Sequence, residues 1–158
     1  MKEINLTQGK VAIVDDADFE EMSRHKWCFS KGYAIRGVIQ EGKKWTTLPM
    51  HVAIMGKIEG LEIDHVSGNR LDNRRENLRR VTRSQNNQNQ APCRPGTSQY
   101  KGVYWFKRVK LWRAQIKIDK KGISLGYYNS ETEAATAYNN AAIKHFGQYA
   151  RLNTIKEG

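Results

Sequence analysis

Short blocks of apolar residues separated by polar turns fill the first fifty positions, a pattern typical of short strands around one helix. The apolar runs predict strands at residues 11–14, 27–29, 33–39 and 45–48. Glu41 and Gly42 are predicted to form a hairpin turn. A short helix is expected to follow the first strand and to open with three acidic residues, Asp15, Asp16 and Asp18. Acidic groups suit a helix N-terminus, which we favour over a metal site as the explanation of this cluster.

The last third of the chain has a clearer periodicity. Alternating or apolar runs predict three strands, at residues 103–106, 111–119 and 123–128. A turn is expected at residues 120–122, between the second and third of them. Ser130 and Glu133 have the spacing of a capping box, which predicts a helix that runs to about Phe146 and stops at Gly147. We therefore expect a three-stranded antiparallel sheet with one packed helix and one free face.

A polar stretch separates these two patterned regions. Residues 91–98 contain two of the three prolines and have the composition of a linker. Before it, a short helix is predicted from His51 to a stop at Gly56. The expected protein is of the α+β class, with a β-rich N-terminal domain at residues 1–90, a linker at 91–98 and a second domain at 99–154.

Composition narrows the classes of function. No apolar run approaches the roughly 20 residues of a membrane span, and no signal-peptide pattern opens the chain, so we expect a cytoplasmic protein. Cys28 and Cys93 are expected to be free thiols. The net charge is +11, and residues 91–158 carry 12 Lys and Arg against 4 Asp and Glu. Such a basic region indicates a polyanionic partner, nucleic acid above all.

The segment before the linker carries groups that bind a cation, accept a proton and contact phosphate. Asp64 offers a hard oxygen ligand, and His65 can accept a proton near neutral pH. Neighbouring positions on a strand face opposite sides, so one ligand and one base is the natural division between them. Asn77 is expected to hold the intervening loop by bonds to its backbone. Asn86 falls on a helix predicted to open near Ser84.

These residues resemble the HNH family of homing and phage endonucleases. The shared pattern is Asp64-His65-x-x-Gly68-Asn69-x-x-Asp72-Asn73-x-x-x-Asn77-Leu78, followed by Thr82 and Asn86. It matches the subclass in which asparagine replaces the final histidine. The resemblance implies a β-hairpin followed by a helix, the ββα-metal fold, with Asp64 and Asn86 as metal ligands and His65 as general base. It also implies that Asn77 braces the loop and that Arg83 contacts the scissile phosphate.

The chemistry of the expected ligands indicates which metal ion would bind. Carboxylate and amide oxygens are hard ligands, so we expect magnesium or manganese rather than zinc. His51 matches a common upstream histidine of the HNH family, and contact with DNA or support of the site are equal alternatives for it. A series of arginines adds phosphate-binding capacity, with Arg79 and Arg80 expected to contact DNA: Arg70, Arg74, Arg75, Arg79 and Arg80.

Residues 98–153 resemble the APETALA2/ethylene-response-factor type of DNA-binding domain. The resemblance lies in Tyr100-Lys101-Gly102-Val103, Trp112-Arg113-Ala114-Gln115-Ile116, Leu125-Gly126 and the alanine-rich helix. It implies a sheet that enters the major groove, with candidate contacts at Tyr104, Phe106, Arg108, Arg113, Gln115, Lys117 and Ser124. Tyr104 and Phe106 stand where the plant proteins usually have arginines, so the target sequence does not carry over. Trp105 and Trp112 are expected to pack in the core.

Together these features predict a metal-dependent DNA endonuclease, of the phage or mobile-element kind, that acts on double-stranded DNA in a bacterial host. The alternative is a non-catalytic, sequence-specific DNA-binding regulator, which would not need His65. An RNA-binding protein is less favoured because the sheet lacks the aromatic pattern of an RNA-recognition motif. A single metal site slightly favours a monomer that nicks one strand, whereas a dimer would cut both.

Overall fold

The computed structural model describes residues 1–40, 42, 44–91 and 96–155. The chain forms two compact units, Met1–Asn86 and Asn87–Gly158, and each combines small antiparallel sheets with helices. The predicted α+β class is confirmed. Glu41 of the predicted hairpin turn, Cys93, and residues 92–95 of the predicted linker lie outside the described residues. None of the described helices is long and apolar enough to cross a membrane.

The first unit begins with two small sheets. Strands β1 (Lys2–Asn5) and β2 (Val11–Val14) pair in one sheet, and helix α1 (Asp16–Ser23) follows. A second sheet has the order β3 (Cys28–Ser30), β4 (Tyr33–Gln40) and β5 (Lys44–Pro49), all antiparallel. Strand β1 was not predicted, because four residues with a single buried side chain, Ile4, give no usable period.

The HNH-like segment forms the rest of this unit. Helix α2 (Met50–Met55) ends at Gly56, as predicted. Strands β6 (Glu62–His65) and β7 (Leu78–Val81) form an antiparallel hairpin, with a 3-10 turn at Arg75–Asn77. Helix α3 (Arg83–Asn89) follows, one residue earlier than its predicted start.

One apolar core joins the two N-terminal sheets to the hairpin. Its fully buried members come from β2, α2 and the neighbouring strands, and they include Val14, Trp27, Met50 and Leu78. Residues 1–50 therefore share a core with the candidate site rather than forming a separate module.

The second unit is a three-stranded sheet with one helix. Strands β8 (Val103–Phe106), β9 (Leu111–Ile118) and β10 (Lys121–Tyr128) are antiparallel with β9 in the centre. Helix α4 (Glu131–Phe146) has the predicted Ser130–Glu133 capping box and ends at Gly147, before a 3-10 turn at Gly147–Tyr149. The turn predicted at 120–122 is wrong by one residue: Asp119 and Lys120 have positive φ, so β10 already begins at Lys121.

Small residues allow α4 to lie close to the sheet. Ala134, Ala135 and Ala142 are completely buried, and Tyr138 is 3% exposed. A Cβ added at Gly102, whose φ is +77°, would overlap the Tyr138 ring and lie 2.6 Å from the carbonyl oxygen of Gln115. Trp112 is partly buried and packs against this core, as predicted. Trp105 meets Trp112 edge to face at 5.2 Å and is also partly buried, but it is not a member of the described core clusters.

Candidate active site

The β6–β7 hairpin directs its acid and its histidine to opposite sides. Asp64 pairs in register with Arg79, and His65 pairs with Leu78. Successive side chains on a strand alternate between its faces, so the two side chains meet different surroundings. Asp64 is 7% exposed and His65 is 4% exposed, which places both at a protected end of the hairpin.

Oxygen-bearing side chains gather on the Asp64 side. Glu62 lies two residues before Asp64 on β6 and therefore shares its face. Asn86, from α3, donates its amide nitrogen to Oε2 of Glu62 at 2.6 Å, so its amide oxygen is the atom suited to a cation. Two carboxylates and an amide oxygen are hard ligands, which fit a magnesium-like ion rather than zinc. Among the described residues, no group of three or more His, Cys, Asp and Glu side chains is placed so that it could hold a metal ion.

Asp64 itself has a cationic partner. Arg79 donates to Oδ2 of Asp64 through Nε at 2.9 Å and through Nη2 at 2.7 Å. The predicted ligands thus lie on one hairpin face, with Asp64 neutralised by Arg79 and Asn86 bonded to Glu62. Glu62 was not predicted as a site residue, because the HNH motif does not include this position. Its place two residues before Asp64 on the same strand was the one feature of the sequence that could have indicated it.

The His65 side is aromatic and closed. The His65 ring lies 5.0 Å from the His51 ring and 6.1 Å from the Tyr33 ring. Tyr33 and His51 are themselves 5.3 Å apart, so the three rings form one cluster. Burial lowers the pKa of His65 below 6.5, against the opposing effects of Asn73 and Asp64. Burial and the neighbouring His65 also lower the pKa of His51 to about 4.

Asn73 selects the tautomer of His65. The Asn73 amide nitrogen donates to the Leu71 carbonyl at 3.2 Å, which turns its oxygen towards His65. Nε2 of His65 lies 3.3 Å from this oxygen and must donate to it, because an amide oxygen only accepts. The proton of a neutral His65 is therefore on Nε2, and Nδ1 is the nitrogen with the lone pair.

The Asn77 side chain bonds to two other positions of the loop that joins the two strands. Its side-chain oxygen accepts from Ser67 N–H at 2.9 Å, and its nitrogen donates to the Asp72 carbonyl at 2.7 Å. Gly68 allows the chain to turn after His65, with φ +77° and a 2.8 Å bond to the His65 carbonyl.

The N-terminal strands hold the far side of this loop. Ile13 of β2 accepts from the N–H of Asn73 at 2.7 Å and donates to the Leu71 carbonyl at 2.8 Å. Arg75 donates to both carboxylate oxygens of Asp18, at 2.9 and 2.7 Å, and its backbone N–H donates to Asp15. The acidic cluster at the start of α1 thus anchors the loop. The sequence had suggested only a helix N-terminus or a metal site for these acidic residues.

The arginine series divides according to its partners. Most of its members bind within the protein: Arg74 to Asp72 and Glu76, Arg75 to Asp18, Arg79 to Asp64, and Arg80 to the carbonyl of Met55. Arg70 donates through Nη1 to the Lys31 carbonyl at 3.4 Å, and its guanidinium lies 4.7 Å above the Tyr33 ring. Its charge is close enough to His65 to help lower the pKa of that histidine. Arg83, the predicted phosphate contact, is an exposed residue at the first position of α3.

In the second unit, the predicted base contacts other than Arg108 share one sheet face. Arg113 lies between three aromatic rings, with its guanidinium 5.7–5.8 Å from the centroids of Tyr104, Phe106 and Tyr127. Its Nε also donates to the Ser124 hydroxyl at 3.3 Å. The Tyr104 hydroxyl donates to the side-chain oxygen of Gln115 at 3.0 Å. Lys117 and Arg108 are exposed, on β9 and in the turn before it.

Known proteins resemble the chain in both of its parts. A profile of the HNH endonuclease family matches residues 52–88. An uncharacterized HNH endonuclease of Acanthamoeba polyphaga mimivirus is 32% identical over 155 residues, 94% of this chain and 77% of that protein. Protein 3.8 of Escherichia phage T7 is 30% identical over 94 residues, 60% of this chain and 77% of that protein.

A further resemblance covers about a third of the chain. An ethylene-responsive transcription factor-like protein of Arabidopsis thaliana is 46% identical over 55 residues, 35% of this chain and 21% of that protein. No solved structure matches the chain. The mimivirus protein aligns with nearly the whole chain and the family profile covers the β6–β7 hairpin with α3, so the chain belongs to the HNH endonuclease family.

Proposed function

We propose that the protein is a metal-dependent DNA endonuclease that hydrolyses one phosphodiester bond at the β6–β7 hairpin. The observation that carries this proposal is the division of Asp64 and His65 between two unlike surroundings. Asp64 shares its face with Glu62 and Asn86, whose side chains offer oxygen ligands for a cation. His65 lies among aromatic and histidine rings, and burial there lowers its pKa and keeps it neutral. Cleavage of a phosphodiester needs both a cation beside the phosphate and a base for the water.

His65 would act as the general base. Its lowered pKa keeps the imidazole neutral at pH 7, and the bond to Asn73 places the proton of the neutral ring on Nε2, so Nδ1 is the basic nitrogen. A water on the phosphate would transfer its proton to Nδ1 while its oxygen bonds to phosphorus. The bond from phosphorus to the 3′ oxygen breaks on the opposite side, and the departing oxygen takes up a proton from water, which leaves 5′-phosphate and 3′-hydroxyl ends.

Asp64 and Asn86 would hold a divalent ion, magnesium or manganese, with Glu62 beside them. When bound, such an ion supplies positive charge to the scissile phosphate and to the departing oxygen. Asn77 would keep the loop after His65 in place through its bonds to Ser67 and Asp72. Arg83, at the exposed start of α3, would contact the scissile phosphate.

We propose further that the second unit is an APETALA2-type domain that positions the nuclease on double-stranded DNA. Its support is the partial similarity to the Arabidopsis thaliana protein and the basic charge of residues 91–158. Arg113, Gln115 and Lys117 would face the duplex, with Tyr104 and Phe106 as apolar contacts. Two relatives are encoded by viruses, which supports action inside an infected or host cell.

A second candidate function has one observation in its favour. Arg79 already neutralises Asp64, as expected for a hairpin with a structural role only. The protein would then be a DNA-binding regulator without nuclease activity.

One experiment separates the two candidates. Supercoiled plasmid is incubated with the wild-type protein and magnesium, with chelator, and with the variants His65→Ala and His145→Ala. His145 is exposed on the last turn of α4 and serves as the matched control. We expect chelator-sensitive nicking that His65→Ala abolishes and His145→Ala retains. Plasmid that stays supercoiled with every divalent ion, while still being bound, would assign the protein to the regulator class.

A further inference from the structure

The β4–β5 hairpin exposes large apolar side chains on one face. Trp45 is 71% exposed and Ile39 is 61% exposed, and the two are register partners across the strands. An isolated exposed apolar residue is ordinary, whereas a tryptophan and an isoleucine side by side form a patch that indicates a binding surface. We call the side of the hairpin that carries Tyr33, Ile39 and Trp45 its outer face.

Gly37 shapes this face. It lies on β4 two residues before Ile39, and a Cβ added there would come within 3.2 Å of the Trp45 ring. The tryptophan therefore lies across the hairpin instead of projecting from its edge. The opposite face of the same strands turns inwards, as the buried Ala34 shows.

The outer face leads to the candidate catalytic histidine. Strand periodicity places Tyr33 on the same side as Gly37 and Ile39, and the Tyr33 ring lies 6.1 Å from the His65 ring. Arg70 stacks on the other end of this surface, 4.7 Å above Tyr33. Within the described part of the chain, no carboxylate lies within ion-pair distance of Arg70.

We propose that the outer face is a DNA-binding arm, on which the duplex beside the scissile phosphate lies. The proposal rests on the nuclease function, because Tyr33 and Arg70 lie beside His65, the proposed general base. Arg70 would bind a phosphate at the base of the arm, and Trp45 with Ile39 would contact a groove at its tip. Exposed apolar side chains beside cations are used in this way by proteins that press against or between base pairs.

For an arm that lies along the duplex, its length sets the distance between the cut and the point where the tip contacts DNA. Six residues separate Tyr33 from Ile39 along β4, which corresponds to about 20 Å of strand. Duplex DNA rises about 3.4 Å per base pair, so the tip should contact DNA about six base pairs from the cut. Apolar contact at this distance on one flank predicts a dependence on duplex length that a structural role of Trp45 would not produce.

The test measures binding rather than cleavage, so that it stands apart from failure of the nuclease proposal. Fluorescence anisotropy in chelator compares binding of the full-length protein to a random-sequence duplex of about 30 base pairs and to one of about eight base pairs, neither of which requires a known cut position. The variants are Trp45→Ala, Trp45→Phe and Arg70→Ala, with Ile58→Ala as control. Ile58 is also an exposed apolar residue of the first unit, 43% exposed, but lies outside the arm.

We expect Trp45→Ala to weaken binding to the long duplex about tenfold, the effect of one lost apolar or stacking contact, and Trp45→Phe to retain most of the affinity. Shortening the duplex to about eight base pairs should abolish the difference between Trp45→Ala and wild type. Arg70→Ala should weaken binding to every duplex, and Ile58→Ala should bind like wild type.

Two results would overturn the proposal. One is equal binding of wild type and Trp45→Ala to the long duplex. The other is a wild-type protein that light scattering shows to be a dimer while Trp45→Ala is a monomer, which would assign the outer face to a second copy of the chain.

Discussion

Arg79 and Asp64 face each other across the β6–β7 hairpin, and the guanidinium binds one carboxylate oxygen through two nitrogens, at 2.9 and 2.7 Å. The side chains are 18% and 8% exposed. A proposed metal ligand is thus neutralised by a cation of the protein itself. Arg79 and a divalent ion would compensate the same buried negative charge.

The first prediction removes this cation. Arg79→Ala should destabilise the metal-free protein by about 3 kcal/mol, because it leaves a buried carboxylate without a partner. Magnesium should restore part of this stability and should stabilise Arg79→Ala more than wild type. Urea unfolding with and without magnesium measures both effects. Arg24→Ala, which breaks the exposed pair with Glu20, is the control and should change stability by less than about 1 kcal/mol. An identical magnesium effect on wild type and Arg79→Ala would contradict the proposed ligand role of Asp64.

The second prediction concerns acid and the buried His51. Its pKa is about 4 in the folded protein and 6.5 when unperturbed, so unfolding takes up a proton between these values. The stability contributed by neutral His51 is complete above pH 6.5 and is lost as the pH falls towards 4. The shift corresponds to about 3 kcal/mol at most.

His51→Gln removes this titration. The free energy of unfolding, measured in urea from pH 4 to pH 7, should fall less steeply for His51→Gln than for wild type. Some slope should remain, because the pKa of His65 is lowered as well. Equal slopes for the two proteins would show that His51 is already protonated, or exposed, in the folded state.

The third prediction tests the loop brace. Asn77→Ala removes the bonds to Ser67 and Asp72 and should cost about 2 kcal/mol, because a part-buried donor and a buried acceptor lose their partner. Nicking should slow by a larger factor than the change in DNA affinity, since the loop positions His65 rather than the duplex. Asn69→Ala is the control, because exposed Asn69 bonds only to its own turn at Leu71. Unaltered nicking by a folded Asn77→Ala protein would remove Asn77 from the site.

The fourth prediction concerns the close contact of α4 with its sheet. Gly102→Ala should destabilise the second unit by about 3 kcal/mol or more, because its Cβ would meet the Tyr138 ring and its φ of +77° disfavours alanine. Gly96→Ala should be nearly neutral, since its nearest neighbours are 3.9 Å away. A calorimetric transition that is unchanged in Gly102→Ala would contradict the packing of α4.

Local signals in the sequence indicated much of this structure. The capping box at Ser130, the alternation along β9 and the glycine stop after α2 each depend on residues that are close in the chain, and all three were confirmed. The spacing of the HNH motif placed Asp64, His65, Asn77 and Asn86 around one hairpin. Each of these predictions used a period or a spacing that needs no distant partner.

Contacts between distant segments were beyond such reasoning. The bonds of Arg75 to Asp15 and Asp18 join positions nearly 60 residues apart, and the approach of Tyr33 to His65 joins separate sheets. The partners of the arginine side chains could not be predicted either. Nothing in the sequence shows that Arg79 binds Asp64 while Arg70 stacks on Tyr33. These pairings depend on tertiary packing, which periodicity does not report.

The bonds of Ile13 to Leu71 and Asn73 limit how this nuclease can be divided. A fragment that begins at residue 51 keeps every proposed catalytic side chain but loses the strand to which the loop is tied and the acids that hold Arg75. Such a minimal nuclease should therefore be catalytically poor even where it is folded. Anyone transferring this active site to another protein would need to transplant residues 1–90, because the support of the motif precedes it in the chain.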